Sequence, residues 1–231
     1  MTTKRMILGK LSEGAEASGL QQRGVALASA LLADNDVTRA VYNETLAPGP
    51  RGDSFGFDLI IEAWVNAPKS SPDADRVRAV ARETGLDLHR SRIVDMEEIV
   101  FKPGSAAVKG TFLSKRRPGS SVPEYQAYWC TRHAEIIMAQ TDFFAYVRAY
   151  VQNHFVSGTF RSLAGQVIDG DDLFDGSPQM WFDSPEDIYR AFKTDGYLRH
   201  IKEDEKILVK VGFSQSYVAQ EHPIELASLR G

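Results

Sequence analysis

Phe57-Asp-Leu-Ile-Ile-Glu-Ala-Trp-Val65 is an apolar run of strand length, and its closing Glu62-Ala-Trp-Val65 returns later as Gln179-Met-Trp-Phe182. Each copy is followed by a helix-opening phrase, Ser71-Pro-Asp-Ala-Asp75 after the first and Ser184-Pro-Glu-Asp187 after the second. Serine and aspartate accept hydrogen bonds from the free amides of a first helical turn, and proline there removes an amide that has no partner anyway. A strand ending on tryptophan and leading into a capped helix thus occurs twice, the mark of an internal repeat.

The same order of elements extends outward from both copies. Before the first, Arg5 to Lys10 reads as a strand and Val37 to Leu46 as another. Between them Leu20, Val25, Leu27, Ala28, Leu31 and Leu32 recur at helical spacing. After it come a helix opened at Ser70, with Val77, Val80 and Ala81 on its apolar face, and a strand over Arg92 to Phe101. Lys102-Pro-Gly-Ser105 sets proline and glycine between two periodic segments, which predicts a boundary between residues 1–103 and 104–231. Beyond it, Val108 to Leu113 reads as a strand, Pro123 to Met138 as a helix and Phe143 to Phe155 as a long strand. Gln179 to Phe182 is a strand, Ser184 to Phe192 a helix, and Ile207 to Val218 the last strand. Asp95-Met-Glu-Glu-Ile-Val100 and Asp204-Glu-Lys-Ile-Leu208 read as parallel segments of the two halves. The expected fold class is α+β: tandem ferredoxin-like βαββαβ units, each an antiparallel sheet with helices on one face, whose other faces close into a barrel.

Composition narrows the function. The chain has 231 residues, 43% apolar and 25% charged, which excludes disorder. Its net charge of −4 speaks against nucleic-acid binding. One cysteine, Cys130, cannot form an internal disulfide, and no run approaches the ~20 apolar residues of a membrane span, so a cytoplasmic location is expected.

Lys115-Arg-Arg-Pro-Gly-Ser-Ser-Val-Pro-Glu-Tyr125, Tyr128-Trp129 and His133-Ala134 are followed by Tyr150-Val-Gln-Asn-His154, Phe174-Asp-Gly176, Trp181-Phe-Asp-Ser-Pro-Glu186 and Asp204. In this order the motifs resemble the EthD domain family, over about Val108 to Glu221. The resemblance implies the dimeric α+β barrel superfamily, in which paired ferredoxin-like units enclose a small-molecule pocket; here one chain would supply both. It implies activities ranging from cofactor-independent decarboxylases, cyclases and dehydratases to metal-free oxygenases, with haem-binding branches.

Tyr125, Trp129 and His133 are spaced by four, which puts them along one helix face, with Tyr128 and Arg132 on the adjacent stripe. They read as packing residues and a helix-end histidine, or as a wall for a planar substrate beside an acid-base imidazole, the reading that the matching family position favours. On the long strand, Tyr146, Arg148, Tyr150, Gln152 and His154 alternate with Val147, Ala149 and Val151. The apolar set is expected against the helices and the polar aromatic set inside the barrel. There His133, His154 and Tyr150 would be catalytic and Arg148 would hold a carboxylate; Trp64 and Trp181 would be paired walls. Lys115-Arg-Arg117 is a solvated loop or an entrance clamp for a carboxylate.

No metal motif, P-loop or dinucleotide fingerprint is present, so no metal and no cofactor are expected, although one histidine suffices for haem. The preferred reading is a cofactor-independent lyase, a decarboxylase of a phenolic aromatic acid working through a quinone methide. The alternatives are a dehydratase, cyclase or isomerase, a cofactor-free monooxygenase on an aromatic or polyketide substrate, or a carrier of aromatic intermediates for an oxygenase. The expected partner is a small aromatic substrate, with neither nucleic acid nor membrane, and pairing into a homodimer through a sheet edge or helix face is left open.

Overall fold

The computed structural model describes residues 2–16, 18–33, 36–50, 55–65, 74–170, 173–210, 212–213 and 215–224. The first half runs β1 (Thr2–Gly9), α1 (Leu20–Leu32), β2 (Val37–Pro48), β3 (Leu59–Val65), α2 (Ala74–Glu83) and β4 (Arg92–Lys102). The expected cap of α2, at Ser70 to Asp73, lies outside the described residues. The second half begins with β5 (Val108–Leu113) and the helix α3 (Val122–Tyr128), which continues through a π-helical turn (Trp129–His133) into α4 (Ala134–Ala139). Then come α5 (Thr141–Phe144), β6 (Ala149–Phe155), the short β7 (Arg161–Ser162), β8 (Gly176–Phe182) and α6 (Pro185–Ala191). A second π turn (Tyr197–Ile201) leads into α7 (Lys202–Leu208), and β9 (Gln215–Ile224) is last. The described copy of the motif behaves as its cap requires, Ser184 accepting the Asp187 amide, and on α3 Ser121 with Glu124 forms a capping box.

The sheet order is β4-β1-β3-β2 in the first half and β9-β5-β8-β6 in the second, the same antiparallel arrangement twice. Pairings β2–β9 and β4–β6 join the two sheets, so the eight strands close into one barrel, with β7 added at the end of β4. Every barrel strand is paired on both sides, which leaves a homodimer no barrel edge to join through. Among the described residues no helix is long and apolar enough to cross a membrane.

Three apolar layers follow from the two-residue period of the strands. Ile7, Leu59, Ile61 and Ala63 pack under α1 and α2; Phe112, Tyr150, Met180 and Phe182 pack under the helices of the second half. Met6, Leu8, Ile60, Met96, Leu113, Phe155 and Tyr217 fill the barrel interior.

Above this apolar plug the interior carries charge. Lys4 Nζ lies 3.1 Å from Glu62 and 3.1 Å from Glu98; Lys109 Nζ lies 3.0 Å from Glu62 and 2.9 Å from Glu221. Trp64 Nε1 donates to Glu98 and Trp181 Nε1 to Glu221, while Gln179 donates to Glu62 and accepts from Lys4. Register makes this network two-fold: Lys4 is paired with Trp64 as Lys109 is with Trp181, and Glu62 stands two residues before the one tryptophan as Gln179 does before the other. Burial drives the Glu62 carboxyl up, but the ammonium groups of Lys109 and Lys4 outweigh it and hold the pKa at about 2.

Three sequence expectations fail here. Phe143 to Val147 is helical turn rather than strand: Phe143 is buried against Phe192 and Tyr197, and Asp142 accepts both the Phe143 and Gly196 amides. Ile207 to Val218 is likewise not one strand, because Leu208 and Val209 pack as the end of α7 on Tyr125 and Trp129, and β9 begins at Gln215. The segment matching Asp95 to Val100 therefore lies in β9, where Glu221 corresponds to Glu98, and Asp204 to Leu208 is helix.

Candidate active site

The expected pocket divides into two places on opposite faces of one sheet. Tyr150, Gln152 and His154 face the helices, whereas Ala149 and Val151 face the barrel mouth beside Trp181, the reverse of the predicted orientation. Both faces of β6 are covered, so polar and apolar residues alternate there without one side being wet. Trp64 and Trp181 accordingly belong to the barrel mouth and not to the histidine site.

The helix-side site is built around Trp129. Its ring stacks on His154 at 4.5 Å and tilts against Tyr125 at 5.4 Å, and it lies over Gly176. Gln152 Nε2 donates to the Trp129 carbonyl (3.0 Å) and to the Tyr150 hydroxyl (2.6 Å). A carbonyl only accepts, so this contact orients the amide and turns Gln152 Oε1 toward His154 Nε2, 3.0 Å away. His154 Nε2 therefore carries the proton and Nδ1 carries the lone pair. Burial lowers the His154 pKa to about 4, so the ring is neutral at pH 7. Burial also raises the hydroxyl pKa of Tyr150 and of Tyr125, whose hydroxyl has no hydrogen-bond partner among the described residues. Haem ligation by His154 does not fit, since Nε2 faces Gln152 and Trp129 covers the ring.

His133 departs from the line of Tyr125 and Trp129. The π turn brings residues five apart onto one side, and Tyr128 and His133 are five apart. Both meet Asp204 of α7: Tyr128 OH donates to Oδ1 at 2.6 Å and His133 Nδ1 lies 2.6 Å from Oδ2. Burial works against the Asp204 carboxylate, yet hydrogen bonds from His133 and Tyr128 keep its pKa low; burial and Asp204 together push the Tyr128 hydroxyl to about 12. An ionised Asp204 fixes the proton on His133 Nδ1 and leaves Nε2 as the basic nitrogen.

The arginines form ion pairs with carboxylates outside the histidine contacts. Arg148 precedes β6 and pairs with Asp183 at the surface; Arg132 is exposed beside Glu135. Arg116, from the basic run, pairs with Asp175 instead. That pair borders an apolar cavity of about 250 Å³ lined by Val122, Phe155, Phe160 and Phe174, at the His154 end of β6. Gln152, absent from the expected site set, is the residue that decides the His154 tautomer, and its signal was its place between Tyr150 and His154 on one strand face.

Gly176 permits the Trp129 contact, since a Cβ there would lie 2.3 Å from the ring. Gly176→Ala is expected to push Trp129 off His154 and cost about 1–3 kcal/mol, read by denaturant unfolding and by a changed near-ultraviolet signal.

Residues 117–211 match the EthD domain model, and a search of curated proteins finds no match. Among solved structures, an anthrone oxidase-like protein superposes with a TM-score of 0.64 at 11% identity, covering 96% of this chain and 92% of that one. A protein assigned as a monooxygenase from Lactobacillus acidophilus NCFM gives 0.52 at 9% identity, over 96% and 94% of the two chains. A chlorite dismutase variant from Candidatus Nitrospira defluvii gives 0.50 at 10% identity, over 95% and 91%. At these identities the likeness is one of fold, the dimeric α+β barrel, here closed within a single chain.

Proposed function

We propose that the chain is a cofactor-independent oxygenase that removes a proton from a planar phenolic or anthrone-like compound and lets the resulting anion react with dioxygen. The observation that carries this is the neutral His154, held by Gln152 with its lone pair on Nδ1, beneath the Trp129 ring. A neutral imidazole in a dry aromatic layer is a base, and the apolar cavity lined by the next residue, Phe155, suits a flat ring system. Names among the structural relatives, an anthrone oxidase-like protein and a monooxygenase, agree with this chemistry.

In the step itself, His154 Nδ1 takes a proton from an activated CH₂. The carbanion passes one electron to dioxygen, and the radical pair combines to form a C–O bond. The peroxide takes up a proton and loses water, so CH₂ and O₂ become C=O and H₂O with no other reductant. Burial keeps the Tyr150 and Tyr125 hydroxyls protonated, so neither phenol competes with His154 as the base. His133 and Asp204 form a histidine–carboxylate pair on the same helix layer as Trp129.

Decarboxylation of a phenolic acid needs a cation for the carboxylate and a proton donor for the alkene. Arg148 and Arg132 lie at the surface in other ion pairs, and His154 is unprotonated at pH 7. The test is incubation of metal-free, cofactor-free protein with anthrones and phenolic acids under isotopically heavy dioxygen and under argon. The expected product gains one heavy oxygen atom and forms only with dioxygen. Release of CO₂ under argon would restore the decarboxylase, and unchanged ligand recovered with the protein would make the chain a carrier.

A further inference from the structure

The barrel mouth holds a cavity of about 300 Å³ on the opposite face of the sheet from His154, walled by Trp64 and Trp181 with Glu98 and Glu221 below them. Each indole N–H is fixed on its glutamate, and each ring has an interior lysine against it, Lys4 at 4.8 Å from Trp64 and Lys109 at 5.5 Å from Trp181. Across the two tryptophan rings the correspondence breaks at the register partner. Arg39 of β2 is the register partner of Trp64 and lays its guanidinium 4.3 Å over that ring. The residue holding the same register against Trp181 is Ala149 of β6. Trp64 thus carries a second cation, Arg39, that Trp181 lacks; Ala149 stands in its place, with Val151 packed beside it.

We infer that this cavity is a second binding site, for a small organic cation whose guanidinium or quaternary ammonium head lies over Trp181 beside Glu221 as Arg39 lies over Trp64. An indole face attracts a cation through its quadrupole, and the attraction strengthens where water is excluded. The carboxylates of Glu98 and Glu221 are 15% and 18% exposed, so both are within reach of a guest. The other cation of the wall, Lys102, is turned away, with its ammonium on the Val147 carbonyl and against the Phe144 ring. An anion entering here would approach two carboxylates, and the guanidinium that could hold it is already spread on Trp64.

Isothermal titration of the full chain with benzyltrimethylammonium, with benzoate and benzyl alcohol as anionic and neutral counterparts, tests this site. The unaltered protein is expected to bind one cation and neither counterpart. Arg39→Ala, a change at an exposed residue, is expected to uncover Trp64 and raise the stoichiometry to two. Trp181→Leu is expected to weaken the first site about tenfold or more. Absence of cation binding, a stoichiometry that stays at one in Arg39→Ala, or benzoate binding that disappears in that variant would each overturn the inference. None of these outcomes depends on turnover at His154.

Discussion

Glu62→Gln is expected to lower stability by about 3–5 kcal/mol, more than any other single polar substitution in the barrel interior. Glu62 is fully buried and is, among the described residues, the one anion that both Lys4 and Lys109 contact; without it, two ammonium groups share a dry space with less negative charge between them. Urea unfolding at pH 7 would measure the loss, and the midpoint of thermal unfolding should fall by on the order of 10 °C. The pH dependence carries the same signature. The folded pKa of Glu62 is about 2, below the ordinary 4.5, so its contribution is complete above 4.5 and disappears as pH falls through 2. The amount at stake is on the order of 3 kcal/mol. The unaltered protein should lose it between those two values, and Glu62→Gln should show no such component. A variant as stable as the parent at pH 7 would mean that the lysines find water or other partners.

His154→Phe is expected to reduce kcat/KM by about 10²–10⁴-fold, the range for loss of a positioned general base, with the fold preserved because phenylalanine can still stack under Trp129. With the proposed base titrating at about 4, activity should fall along an acid limb near pH 4 and stay flat across neutrality. The stability effect has a definite sign as well. The folded pKa lies below the ordinary 6.5, so between pH 6.5 and 4 the unfolded chain takes up a proton that the folded chain refuses. His154 therefore destabilises the fold as pH drops through that window, and His154→Phe should remove the effect. Full turnover in His154→Phe would transfer the base to His133 and its Asp204 partner.

The fold was legible because its punctuation is local. The Trp64 and Trp181 strands and the Ser184 cap each act within a few residues, and the barrel follows from the order of the elements. Short apolar stretches were less legible: Phe143 to Val147 alternates too briefly to separate strand from helical turn, and its helical state depends on Asp142 and Phe192, which are distant in sequence or outside the run. The site residues were partly legible. Trp129 stacks on His154 and Gln152 links both to Tyr150, but which side of β6 Tyr150 and His154 face is decided by the packing on both of its faces. The interior charges were read past because Lys4, Lys109, Glu98 and Glu221 have surface-seeking side chains; only Glu62, a lone carboxylate inside an apolar run, carried a visible signal.

Glu62 and Gln179 hold equivalent positions and hydrogen-bond to each other across the middle of the barrel. An assembly of two identical subunits would have to place the same residue on both sides of its axis. Two glutamates would set like charges against each other, and two glutamines would deprive both lysines of their common anion. Carrying the halves on one chain lets the centre be unlike itself, with a single carboxylate between two ammonium groups. That freedom also lets one helix layer keep a histidine while its counterpart serves as packing, and one tryptophan keep an arginine while the other stays open to a guest.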